Sequence, residues 1–130
     1  MGLLLLLAPA CLWRSYAGVM QVHLDVLADM AEKALYNAES GRRPSSNEVT
    51  ELTYPLQRAR QFAHSFRSYA ARESYRRFVA ALDQYQAFTD AIDAARGDDA
   101  RWAAERGQLA ARYAAWSTAA SQARAALAEE

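Results

Sequence analysis

Residues 52–92 read LTYPLQRARQFAHSFRSYAARESYRRFVAALDQYQAFTDAI, and the number of helices in the chain turns on them. Leu52, Leu56, Ala59, Phe62, Ala63, Phe66 and Ala70 recur at the three- and four-residue spacing of one helical face. A second series begins later: Tyr75, Phe78, Leu82, Tyr85, Thr89 and Ile92. Placed at about 100° per residue, the second stripe is rotated from the first by roughly 120°. A straight helix cannot press both stripes onto one partner. The chain therefore either turns near Ala71-Arg72-Glu73-Ser74 or stays helical and offers different faces to different neighbours. Neither Gly nor Pro marks a turn there; Ser74 can cap a helix start, but a serine inside a helix is also ordinary. The turn is preferred because it yields four helices of about 25, 25, 22 and 30 residues, lengths suited to an up-down four-helix bundle with one core. The alternative is three helices with a long kinked central helix of about 50 residues. Both are all-α, and no run of strand formers alternates at period two.

The flanking segments are read the same way. Ser45 followed three residues later by Glu48 is a capping box that opens the second helix. Pro55 falls inside that pattern, as a kink or as the first turn of a new helix. The first clear helix runs from about Arg14 to Ser40. Its apolar face reads Tyr16, Met20, His23, Leu27, Met30 and Ala34, opposite Gln21, Asp25, Asp29, Glu32 and Tyr36. Gly41 supplies a left-handed stop and Pro44 prevents continuation. Arg96-Gly97-Asp98 reads as stop, left-handed residue and N-cap of a final helix. Its seam is Trp102, Leu109, Tyr113, Trp116, Ala120, Ala123 and Leu127, with Arg106 in the slot between the first two.

A chain of 130 residues is one domain long, and a hydrophobic share of 52% argues against disorder. The 15 basic and 15 acidic side chains cancel, so global charge makes no case for nucleic acid as a partner. Arg dominates the basic side, Lys33 being the single lysine. One cysteine excludes an internal disulfide and a cysteine-built metal site.

That cysteine follows an unusual segment. Leu3 to Leu7 are five leucines, followed by Ala8-Pro9-Ala10-Cys11. An apolar run ending in small-x-small has the outline of a signal peptide and its cleavage site. With Cys directly after it, the segment resembles the bacterial lipoprotein lipobox, although Ala8 stands where that pattern usually has Leu. The resemblance implies lipidation of Cys11 and division of the chain into a signal-like segment, 1–12, and a bundle domain, 13–130. Pro9 argues against one continuous helix through the segment. The run is too short to cross a bilayer as an ordinary helix.

Few residues suggest chemistry. His23, on the apolar face with Met20 and Met30 nearby, is a speculative ligand for haem or a metal. It lacks an obvious second ligand, since His64 lies on a polar side. The plainer reading is a core-edge histidine hydrogen-bonded to a tyrosine or carboxylate. Arg58, Arg60, Arg67, Arg72, Arg76 and Arg77 form the most lopsided charge run, opposed locally by Glu73 alone, and are interleaved with aromatics. This is a possible surface for anionic lipid. The plainer reading is a solvated helix surface balanced by Asp83, Asp90, Asp93, Asp98 and Asp99 on neighbouring helices. No phosphate loop, nucleophile elbow or His-Glu-x-x-His occurs.

The sequence thus leads to a non-enzymatic helical protein with no catalytic residues, no cofactor and no nucleic-acid partner. The leading expectation is an exported lipoprotein, in the periplasm or at the outer membrane. It would be held to the membrane by lipid on Cys11 and would bind or scaffold a protein partner in the envelope. The alternatives are a cytoplasmic helical adaptor for other proteins and a haem- or metal-binding bundle.

Overall fold

A computed structural model describes the backbone from residue 2 onward and side chains from Trp13 onward. Among the described residues there are five α-helices and no strand: α1 Gly2–Glu39, α2 Ser46–Ser65, α3 Glu73–Ala95, α4 Asp99–Arg106 and α5 Leu109–Glu129. A 3-10 turn over Arg67–Tyr69 lies between α2 and α3. The protein is an all-α helical bundle. The chain turns between Ser65 and Glu73, so the long central helix does not form. The rotation between the two stripes therefore marks a turn that no Gly or Pro announces.

α3 packs most extensively against α5, then against α2, while α1 lies against α2 and α5. The alanines make the α3–α5 contact close: Ala81 on α3 and Ala120, Ala123 and Ala126 on α5 are all buried. Around them Phe78, Leu82, Tyr85, Phe88, Ile92, Leu109 and Trp116 fill the centre. Tyr85 donates from its hydroxyl to the Leu52 carbonyl at 2.6 Å, so a deeply buried phenol is satisfied by the backbone of α2. Burial pushes its ionisation far above the usual tyrosine range.

The helix ends follow local chemistry. Ser45 and Glu48 form the capping box that starts α2. Pro55 lies inside α2 without ending it. Gly41, at φ 88°, closes α1. Asp98 caps α4 by accepting from the Arg101 amide at 2.9 Å.

Four expectations are corrected and one open choice is decided. α1 is helical from Gly2, so the backbone runs through Pro9 rather than starting near Arg14. Gly97 is not left-handed; among the described residues only Gly41 has positive φ. Ser74, open between cap and helix interior, lies inside α3, whose N-cap is Arg72, with no capping hydrogen bond from its side chain. The final helix is two helices, broken at Gly107-Gln108. Arg106 is exposed where the seam needs an apolar side chain, and Gly107 has the weakest helix preference after proline, so nothing holds that turn onto the core. Finally, the centre of the buried face of α1 is Leu24, Leu27 and Ala31, while His23, Met30 and Ala34 sit half-buried at its flank. α1 touches neighbours on both sides, which widens its buried arc and moves its centre.

Candidate functional site

The aromatic residues at the start of the described part of α1 and after α2 cluster at one end of the molecule. Trp13 and Tyr16 on α1 meet the end of α2 and the turn that follows it. Tyr16 has Tyr69 edge-on at 4.6 Å and Trp13, Phe66 and Phe62 within 6.2 Å, measured between ring centres. Arg72 lies over both Trp13, at 4.7 Å, and Tyr69, at 5.0 Å. A guanidinium so placed gains from the negative faces of both rings.

Beneath this cluster Ser74 joins three parts of the chain. Its hydroxyl donates to the Glu130 carboxylate, and its amide donates to the same carboxylate at 2.9 Å. A serine has one hydroxyl hydrogen, so at 2.7 Å the Tyr16 hydroxyl is the donor to Ser74 Oγ. Burial raises the ionisation of Tyr16, and the nearby Glu130 charge adds to it. A hydroxyl beside a carboxylate has the parts of a nucleophile. Here Ser74 is 0% exposed, so no substrate reaches it, and the arrangement is a structural tie.

The structure distributes the arginine run around the surface. Arg60 pairs with Asp83 and hydrogen-bonds Gln86. Arg76 and Arg77 both pair with Glu73, holding its carboxyl below the usual range. Arg72 lies 4.0 Å from Glu130. Arg58 stacks on Tyr54 and donates to its hydroxyl, while Arg67 donates to the His64 carbonyl. Asp83 thus balances the run as expected. Asp93 pairs instead with Arg96, and Asp99 with Arg43. Glu130, far along the chain, was not foreseen as a partner.

His23 packs its ring against Phe62, with centres 5.1 Å apart. Burial first, and the Arg58 charge second, lower its pKa below the ordinary value of 6.5. Among the described residues it has no hydrogen bond to a tyrosine or carboxylate, so the expected partner is replaced by an aromatic face. Among the same residues no group of three or more His, Cys, Asp or Glu side chains could hold a metal ion. The Cys11 side chain lies outside the described residues.

The other half holds a feature the sequence did not disclose. A cleft of about 270 Å³ opens between α1, the α1–α2 loop, α2, α3 and α4. Its apolar floor is Met30, Ala34, Leu52, Ile92 and Trp102. Its rim carries Lys33 and Asn37 from α1, Arg42 from the loop, and Glu48 and Glu51 from α2. Glu48 accepts from the Ser45 amide and pairs with Arg42 at 3.0 Å, and these, in that order, depress its ionisation. The opening has a structural cause. Once separated from α5, α4 packs mainly on α3 and only sparsely elsewhere. α1 meets it with Ala34, a side chain too small to close the space.

Comparison of the chain with family models, with curated proteins and with solved structures finds no match in any of the three.

Proposed function

We propose that the protein is a non-enzymatic, exported bacterial lipoprotein that binds or scaffolds a protein partner in the cell envelope. The position of Cys11 carries this reading. It directly follows the five leucines Leu3 to Leu7 and the small-x-small triplet Ala8-Pro9-Ala10. A cut before Cys11 would remove none of the core side chains from Tyr16 to Leu127. Trp13, two residues on, clusters with Tyr69 and Arg72. Trp and Tyr suit the headgroup level of a membrane, and an arginine there meets lipid phosphate. One acyl chain holds a protein only marginally, whereas a diacylated and N-acylated Cys11 would hold it firmly. No helix among the described residues is long and apolar enough to cross a membrane, so attachment would rest on the lipid.

Expression of the full chain and of Cys11→Ser in a bacterial host tests this reading. The expected wild-type product is in the detergent-soluble membrane fraction, with a mass lacking residues 1–10 and increased by lipid. Cys11→Ser should remain unprocessed. A wild-type chain in the soluble cytosol, at an intact mass, would overturn the proposal.

That outcome would favour a cytoplasmic adaptor, for which a second observation speaks. Val19, Val22 and Val26 line one side of α1 and are exposed, Val22 at 58%. Such a stripe is suited to a helix from a partner protein.

A further inference from the structure

We infer that the cleft between α1, α2 and α4 is a binding site for a free α-amino acid with an apolar side chain. This does not depend on export or lipidation. The space is small, below the usual range of drug-sized pockets, and suits a metabolite with one short branched chain or one ring. Its floor offers carbon, the Met30 thioether and the Trp102 indole to such a group. Trp102, itself 5% exposed, gives the floor a flat aromatic wall.

The rim decides the class of ligand. Arg42 and Glu48 are occupied with each other. Among the described residues the Lys33 ammonium, the Asn37 carboxamide and the Glu51 carboxylate make no side-chain hydrogen bond or ion pair. Lys33 and Asn37 belong to α1, whereas Glu51 belongs to α2, so opposite charges stand on opposite walls of the cleft. The charges on the rim sum to zero. A simple anion would meet Glu51, and a simple cation would meet Lys33. A zwitterion satisfies both: its carboxylate takes Lys33 and the Asn37 amide, and its ammonium takes Glu51. Hydrogen bonds between charged groups are the stronger kind, so the two poles fix orientation while the floor selects the side chain.

The test is calorimetric titration of the full chain with L-leucine and L-phenylalanine, with Trp102 fluorescence as a second readout. One saturable site is expected. N-acetyl-L-leucine, without the ammonium, and L-leucinamide, without the carboxylate, should each bind about tenfold more weakly. Glu51→Gln should weaken L-leucine about tenfold and leave N-acetyl-L-leucine unchanged, and Lys33→Gln should do the same with L-leucinamide as the unaffected ligand. Both positions are exposed, so the fold should survive. Ala34→Leu, filling the cleft, should abolish binding without lowering the melting temperature. No saturation at millimolar concentration would overturn the inference. Equal binding of L-leucine and its two blocked forms would also overturn it.

Discussion

At one end of the bundle Tyr16 is enclosed by four aromatic rings and a buried serine; at the other, on the same helix, Met30 and Ala34 face a cleft of about 270 Å³. The helical spacing is the same at both ends. What differs is the volume each position delivers. Aromatic side chains bury large areas and reach across gaps between helices, whereas alanine leaves the gap to be closed by backbone approach. Where the alanines of α5 meet α3, the helices do approach. Where an alanine on α1 faces the separate short helix α4, space remains. Periodicity decides that a face is buried, and side-chain size decides whether burial is complete.

The largest test of this contrast is Tyr16→Ala. Removing a fully enclosed ring should cost about 3–5 kcal/mol, read as a shift in the denaturant midpoint at constant slope. A loss below about 1 kcal/mol would mean that the aromatic end is not the closed one. Ser74→Ala should follow, at about 1–3 kcal/mol, because the Glu130 carboxylate and the Tyr16 hydroxyl both lose their shared partner. The smallest effect belongs to the cleft end and has the opposite sign. Gly107 has helical backbone angles, φ −67° and ψ −16°, and an added methyl would meet only the Ala104 carbonyl oxygen at 3.5 Å. Gly107→Ala should therefore raise stability by about 0.5–1 kcal/mol in thermal unfolding. A decrease would show that the break between α4 and α5 needs glycine.

Most of the helix plan was legible because it is written in local spacing. The stripes from Leu52 to Phe62 and from Phe78 to Ile92 are buried as read, and their relative rotation located the turn. The capping box at Ser45 and the left-handed Gly41 are equally local. The errors came where distant neighbours decide. Gly107 was passed over because Trp102 and Leu109 keep the seam in register across it. Leu24 was left out of the apolar face of α1, and His23 was placed too near its centre, because the direction of burial depends on both α2 and α5. Ser74 had a local role to suggest, that of a cap, and its actual partners lie 58 and 56 residues away. The cleft had no signature at all, since Lys33, Glu51 and Trp102 become neighbours only in the folded chain.

The tie at Ser74 also bears on when the first helix becomes secure. Its two bonds close loops of 58 and 56 residues in succession, so the loop-closure entropy must be met twice before the knot is complete. During synthesis α1 can find α2 early, yet Glu130, whose carboxylate accepts from Ser74, emerges from the ribosome much later. Until then Tyr16 is held by the rings of Phe62, Phe66 and Tyr69.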